Sequence, residues 1–303
     1  MPELPEVETT TRGLRKVLPG LVVRDVWSDY HKKTAHGHKQ HIKNRKYFDN
    51  FKKQIVGKKI KDIGRRGKNI LILLENGVSI LTHMKMTGHY LYGDYSYEKK
   101  YDRWVARGKG YLSDPYNSFI HLIFKLSNNK FLALSDVRKF AKVIILDADV
   151  KNHPDISILG PDPLTKNFSF KMFKNRILLG RGPIKSVLMN QEIISGIGNI
   201  YSDEILSRSC VHPESVTKNI PDQILKKTFT EMKKILREAI KVGGDSTSDY
   251  RKITGEKGGF QKHHKVYRRK GEKCLYKGCR GVVERKVVRG RSAHFCNKHQ
   301  KKY

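Results

Sequence analysis

The chain opens MPELPEVETT, ten residues that could bring together an amine nucleophile and two carboxylates. Removal of Met1, which a small second residue permits, leaves Pro2 as a free secondary amine with Glu3 beside it and Glu6 three residues further on. A terminal α-amine titrates near pH 8 and a lysine near 10.4, so at pH 7 roughly 10% of the first but under about 0.1% of the second is neutral and nucleophilic. Proline's amine is somewhat more basic, which narrows that advantage without removing it. Such an amine can attack an aldehyde-like carbon to give an iminium while a neighbouring carboxyl moves protons, which is covalent catalysis with a general acid or base. Taken alone, an MPE opening reads as a processed, disordered terminus; its context decides.

Charge supplies the first part of that context. The chain carries 62 Lys and Arg against 29 Asp and Glu, a net charge of +33 and a pI near 10.0, a balance that implies a polyanionic partner. No apolar run approaches 18 residues and no charged-then-apolar signal segment stands at the N-terminus, so nucleic acid is preferred to a membrane and the expected location is intracellular rather than secreted. Glu3, Glu6 and Glu8, with no basic residue before Arg12, run against the trend. Carboxylates where phosphates approach weaken binding unless they do chemistry.

A second chemical cluster stands at the other end of the sequence. Cys274-x4-Cys279, sixteen residues, then Cys296-x2-His299 form two close ligand pairs from three of only four cysteines and a histidine, the arrangement of a closed tetrahedral structural zinc site. Disulfides fit three cysteines and a histidine badly. Cys210, the fourth, lies in an apolar helical stretch and reads as a buried free thiol. Between the ligand pairs, GVVERKVVRGRSAHF reads as a hairpin turning at Arg289-Gly290, and residues 241–303 hold 19 Lys and Arg against 5 Asp and Glu, so +14 of the +33 lies there. A basic zinc hairpin is a nucleic-acid contact element.

The elements that must position these groups fall in two halves. Residues 7–18 read as a helix stopped by Pro19-Gly20, and strands follow at 21–27, 70–75, 78–84, 119–126, 130–136 and 142–147, with Asn76-Gly77 and Asn128-Asn129 as hairpin turns. Short apolar runs at this spacing suggest a β-sandwich or barrel. The polar segments 31–53 and 93–115 read as loops or insertions. After LGPDPL at 159–164 the spacing turns helical at 167–175, 183–191, 200–209 and 223–242. The turn IISGIGNIY at 193–201 has glycines at 196 and 198 that let amides and Asn199 face a phosphate at a helix start. The expected class is α+β, divided as 1–150, 165–255 and 256–303.

MPELPEVE, SGIGNIYSDEIL at 195–206 and RSAHFCNKHQ at 291–300 together resemble the formamidopyrimidine-DNA glycosylase family, end to end. The resemblance implies an N-terminal β-sandwich, a C-terminal helix–two-turns–helix domain and a zinc-finger hairpin, with duplex DNA in the cleft between the domains. It implies a bifunctional glycosylase and abasic-site lyase that removes oxidised bases such as 8-oxoguanine and formamidopyrimidines and cleaves the strand by β,δ-elimination, acting as a monomer. Carried over, Pro2 is the nucleophile, Glu3 the acid and proton shuttle, Glu6 the supporting carboxylate and Lys68, in RRGKN, a lysine near the pocket. Asn199, Arg291 and Lys185 resemble phosphate contacts. Met86 in HMKMTG, with Arg138 and Phe140 in DVRKF, resembles the trio that fills the gap left by an extruded nucleotide, although spacing alone makes Met86 and Phe140 core residues. TGEKGGFQKHHKVY, ending at Tyr267, resembles the loop and following strand that embrace the everted base. The finger is held by Cys274, Cys279, Cys296 and His299 on one zinc ion, although here His299 stands where the bacterial pattern has cysteine and the first pair is spaced by four rather than two. The alternatives are an endonuclease VIII-like preference for oxidised pyrimidines, which Leu4 in place of glycine weighs against, and a non-catalytic DNA-binding relative, which would have lost Pro2 or Glu3. The compartment is cytoplasmic for a bacterial source, nuclear or a viral factory otherwise.

Overall fold

A computed structural model describes residues 1–31, 41–147 and 149–303. Helix α1 (Leu4–Val17) begins at Glu3, which caps it reciprocally: the Glu3 carboxylate accepts the Glu6 amide and the Glu6 carboxylate accepts the Glu3 amide. Pro5 suits the first turn because its missing N–H has no helical partner to lose. Leu4, Val7, Leu14 and Leu18 put one face of the helix into the core.

Ten strands follow: β1 (Val23–Ser28), β2 (Ile60–Arg66), β3 (Asn69–Leu74), β4 (Ser79–His83), β5 (His89–Gly93), β6 (Tyr95–Glu98), β7 (Arg103–Ala106), β8 (Ile120–Leu126), β9 (Phe131–Ser135) and β10 (Lys142–Leu146). They form antiparallel sheets ordered β1-β8-β9-β5 and β10-β4-β3-β2, with β6 and β7 as a separate hairpin. Side chains alternate between the faces of a strand. Leu122, Phe124 and Leu126 therefore point into the core shared with Ile70, Ile72, Ile80 and Val143, while Ile123 and Leu91 face outward beneath Trp27 and Trp104. Both faces are covered, so these strands read as unbroken apolar runs rather than as alternation.

Two expectations are corrected and one strand is new. The polar stretch 31–53 contains helix α2 (Arg45–Ile55), whose apolar stripe Phe48, Phe51 and Ile55 is hidden among lysines and whose cap is Asn44, accepting the Tyr47 amide; residues 32–40 lie outside the described part. The stretch 93–115 holds β6, β7 and 3-10 turns rather than a plain loop. β2 is a strand that its sequence IKDIGRR hardly announces.

After the one-turn helix α3 (Pro154–Ser157) come α4 (Phe170–Leu179), α5 (Ile184–Met189), α6 (Asn199–Ser209) and α7 (Asp222–Lys241), then the hairpin β11 (Val283–Val288) and β12 (Arg291–Cys296). Leu225, Thr228, Met232, Ile235, Leu236 and Ala239 give α7 its buried stripe against Phe173, Ile177, Tyr201 and Ile205. Cys210 ends α6 as a half-buried cap at φ +62°, not a helix-interior thiol. By contact, Met1–Ile156 and Gly243–Gly259 form one unit, and Ser157–Val242 with Phe260–Tyr303 the other. The chain thus rejoins the first unit at Gly243, where sequence pattern carries the helical region to residue 255. The strand expected before Tyr267 is a run of turns with a 3-10 segment, Phe260–His263. Among the described residues no helix is long and apolar enough to cross a membrane.

Candidate active site and metal centre

In the first unit the N-terminus is held by two bonds from one carboxylate. Glu6 Oε2 accepts the Glu3 N–H at 2.8 Å and Glu6 Oε1 accepts the Asp245 N–H at 2.7 Å, while the Tyr250 hydroxyl donates to the Glu6 carbonyl at 3.1 Å. Gly244, at φ +82°, makes this approach possible: a Cβ there would lie 3.0 Å from Glu6 Oε1. Pro2, Glu3 and Glu6 are all buried, whereas Met1 is exposed. Glu8 fastens the same helix to β2 through Arg65 at 2.6 Å.

Lys68 sits in the tight β2–β3 turn beside Gly67 (φ +56°) and is buried. The register of β3 and β4 pairs its neighbour Asn69 with His83. Burial first, then the charges of Lys85 and Lys68, push His83 down to about 3, so its ring is neutral. Sequence reasoning passed over His83, whose only signal was its place at the start of HMKMTG.

Met86 and Phe140, core residues by spacing, are 42% and 45% exposed. They lie on two loops that cross between the sheets at one end of the sandwich: the register joins His83 to Lys142 and His89 to Ser135. The Arg138 guanidinium rests over the Phe140 ring, 4.4 Å from its centre. Asp136 ties both loops together. Fully buried, it accepts the Thr87 hydroxyl, the Ala141 N–H at 2.8 Å and the Tyr30 hydroxyl at 3.0 Å, and Thr87 in turn accepts the Arg138 N–H at 3.1 Å. Sequence reasoning had no means of finding Asp136.

In the second unit α6 organises the surroundings of its own first residue. Asn199 opens the helix with its side-chain oxygen buried and without a hydrogen-bond partner among the described residues, and Gly196 (φ +99°) shapes the preceding turn. Glu204 accepts three successive amides, Lys265, Val266 and Tyr267, at 2.9–3.0 Å. Asp203 accepts the His294 N–H from β12 at 2.9 Å and pairs with Lys185.

Cys274, Cys279, Cys296 and His299 converge, with all four ligand atoms within 4.8 Å of one another. Cys279 Sγ and Cys296 Sγ are 3.6 Å apart, and Cys274 Sγ and His299 Nδ1 are 3.2 Å apart, close to the edges of about 3.8 Å expected for a tetrahedron with zinc–sulfur bonds near 2.3 Å. Each sulfur also accepts an amide, from Tyr276 at 3.3 Å, Gly281 at 3.3 Å and Lys298 at 3.4 Å, as thiolates need. His299 Nε2 donates to the Ser207 carbonyl at 3.0 Å, which fixes the tautomer and leaves Nδ1 as the ligand atom. The donor set fits a structural metal ion. Between the two ligand pairs, Arg289 (φ +44°) and Gly290 (φ +76°) form the hairpin turn expected from sequence, and the exposed Arg291 follows it.

Two family models match this chain: the formamidopyrimidine-DNA glycosylase N-terminal domain over residues 1–143 and the H2TH domain of the same glycosylase over residues 159–251. The chain belongs to the formamidopyrimidine-DNA glycosylase family. It is 33% identical to the formamidopyrimidine-DNA glycosylase of Bacillus subtilis over 306 residues, covering 100% of both chains. The crystal structure of the Thermus thermophilus MutM (Fpg) protein matches 100% of both chains at 30% identity and a TM-score of 0.78. A MutM bound to DNA containing carbocyclic 8-oxo-G matches at 30% identity and a TM-score of 0.80, over 99% of this chain and 100% of that one.

In this glycosylase-family chain the expected phosphate contacts differ in exposure. Lys185 is interior, its side chain 1% exposed, with Nζ bonded to Asp203 and to the Ser202 hydroxyl at 3.3 Å. It presents no surface charge and supports the start of α6 through the Asn199 carbonyl at 3.5 Å. Tyr267 is half-buried, its ring edge-on to His264 and His294. The metal ligands lie beyond both matched family models.

Proposed function

We propose that the protein is a bifunctional DNA glycosylase and abasic-site lyase of base excision repair, acting on duplex DNA that carries oxidised purines. The observation that carries the reading is the double hold on Glu6, which fixes the backbone next to Pro2 from both sides. A nucleophile held in this way loses little entropy on reaching its target.

Chemistry begins once Met1 is removed. The Pro2 nitrogen uses its lone pair to form a bond to C1′ of the damaged nucleotide. The glycosidic bond breaks with its electron pair going to the base, and the proton that attack leaves on the Pro2 nitrogen passes to that base, which departs neutral. The C1′–O4′ bond opens, O4′ receives a proton from Glu3, and an iminium remains between Pro2 and the opened sugar. Loss of a proton from C2′ then expels the 3′ phosphate, a second elimination expels the 5′ phosphate, and water releases Pro2. Glu3 suits the proton steps because its buried carboxyl stands next to Pro2 at the start of α1.

Met86, Phe140 and Arg138 fill the space vacated by the extruded nucleotide; exposed apolar side chains on two braced loops suit that task. Asn199, at the start of α6, donates its side-chain NH2 to a phosphate, and Arg291 and Tyr267 join it there. Lys68 lies near the reacting sugar. One zinc ion, held by Cys274, Cys279, Cys296 and His299, supplies no reaction chemistry and gives the β11–β12 hairpin the core that it lacks.

Strand cleavage of duplexes carrying 8-oxoguanine, formamidopyrimidine or thymine glycol tests the reading. Faster cleavage of the two purine lesions is expected. Preference for thymine glycol would move the protein to an endonuclease VIII-like specificity, and no cleavage of any would overturn the proposal.

A further inference from the structure

Residues 111–117, which run from the end of the polar stretch 93–115 toward β8 and have no assigned task, clasp the segment that holds Glu6. Arg251, fully buried, forks onto Asp114: Nε donates to Oδ2 at 3.2 Å and Nη2 to Oδ1 at 3.1 Å, with the Tyr116 ring 4.8 Å from its guanidinium. Its remaining nitrogen donates to the Ser248 and Tyr250 carbonyls at 3.0 and 2.9 Å. Asn117 Nδ2 spans the Tyr111 carbonyl at 2.8 Å and the Gly255 carbonyl at 3.2 Å. Gly255, at φ +89°, is pressed so closely that a Cβ there would lie 2.5 Å from the Tyr111 oxygen. Burial acts to raise the Asp114 carboxyl, but Arg251, the Tyr116 amide and the charge of Lys257 outweigh it and hold it low.

The clasped segment reaches the reaction centre within a few residues. Asp245 and Tyr250 bond Glu6, Ser246 Oγ donates to the Tyr250 carbonyl at 2.7 Å and accepts the Gly258 N–H at 2.8 Å, and the Ile253 carbonyl takes the Tyr92 N–H at the edge of β5 at 2.8 Å. A bidentate Arg–carboxylate pair is a rigid link, and loss of the half-buried Asp114 leaves the fully buried Arg251 charge uncompensated. Neither partner carries a group that the chemistry uses.

We propose that residues 111–117 are a specificity-determining strap: by fixing Arg251 and Gly255 they set the position of residues 252–258, beyond the Asp245 and Tyr250 bonds that hold Glu6, and so decide which damaged bases are accommodated beside Pro2. This rests on the glycosylase reading above. The strap acts on the fit of the base, because the sugar reacts with Pro2 and Glu3 whether or not a base is present.

The test compares the full chain, free of Met1, with its Asp114→Ala and Arg251→Met variants. Single-turnover rates are measured on duplexes carrying 8-oxoguanine, formamidopyrimidine, thymine glycol or an abasic site, and amide exchange across residues 252–258 is followed without DNA. Both variants should shift the ratio of rates between lesions by roughly tenfold, as coupled contacts do, while cleavage at the abasic site stays within about twofold. Exchange in residues 252–258 should quicken by about tenfold or more. Arg251→Met leaves no buried charge, so its agreement with Asp114→Ala guards against a variant that merely unfolds. A uniform fall of all four rates, or unchanged exchange, would overturn the strap. No cleavage of any duplex by the unsubstituted chain would instead overturn the glycosylase reading on which it rests.

Discussion

Glu6 and Asp245 stand 239 positions apart in sequence, and a 2.7 Å bond from the Asp245 N–H to Glu6 Oε1 joins them. Since Glu6 Oε2 holds the Glu3 N–H at 2.8 Å, a single carboxylate links the N-terminus to residues 243–259. A carboxylate is the one side chain of this size that can accept from two amides at once in either direction.

Glu6→Gln should break one of these two bonds, because an amide offers one oxygen and turns its NH2 against an N–H donor. Stability should fall by about 1–3 kcal/mol, the cost of a charged hydrogen bond left half-made. Covalent capture of abasic DNA should slow by about tenfold or more, since misplacing a nucleophile by an ångström costs of order a hundredfold. Denaturant unfolding and single-turnover capture measure the two effects separately.

Glu3→Gln keeps an oxygen for the helix cap and removes the exchangeable proton. Base excision should drop by the roughly 10²–10⁴ characteristic of general acid–base groups, with DNA affinity little changed. Cleavage of a preformed abasic site should suffer less, because no base has to leave. Equal losses on both substrates would show that Glu3 works mainly as a cap.

His83 makes stability depend on pH. Its folded pKa lies near 3, below the roughly 6.5 of the unfolded chain, so the unfolded state binds the extra proton first. The contribution of neutral His83 is present above about pH 6.5 and is lost as pH falls from there toward 3. Removing it in His83→Asn should flatten the stability profile between pH 6 and 4, as unfolding at a series of pH values would reveal.

Removing the metal should cost binding rather than chemistry. His299→Ala should release about one zinc per chain and weaken duplex affinity, while covalent capture at saturating protein persists. Arg291→Ala should retain the zinc and reduce the salt slope of log K by about one unit, the share of one phosphate contact. An unchanged slope would detach Arg291 from the DNA.

Much of the architecture was legible from local pattern. The strands around Asn76-Gly77 and Asn128-Asn129 announced themselves through apolar runs and turn residues, and the spacing of Cys274, Cys279, Cys296 and His299 pointed to their convergence. β2 was not legible, because a bulge between Ile60 and Asp62 breaks its alternation and its apolar residues are only Ile60 and Ile63. Nor was α2, where Asp49-Asn50 and Lys52-Lys53-Gln54 separate the three residues that pack. At the site, residue type carried Pro2, Glu3 and Glu6, but the braces did not show. Asp136 joins loops some fifty residues apart and Arg251 meets a carboxylate 137 positions away, and a pair that forms only in the folded chain leaves no periodic signal. Met86 and Phe140 show the reverse case: apolar spacing assigned them to the core, and the structure exposes them.

The most direct measurement of the central claim is the site of covalent attachment. The chain with Met1 removed is incubated with duplex DNA bearing an abasic site or 8-oxoguanine, reduced with borohydride, digested and mapped by mass spectrometry. Pro2 as an N-terminal secondary amine gives only an iminium with the sugar, so the reduced adduct should reside on the N-terminal peptide, at Pro2, and disappear when a tag blocks the terminus. An adduct on the peptide containing Lys68, or undiminished trapping by the blocked chain, would contradict the account.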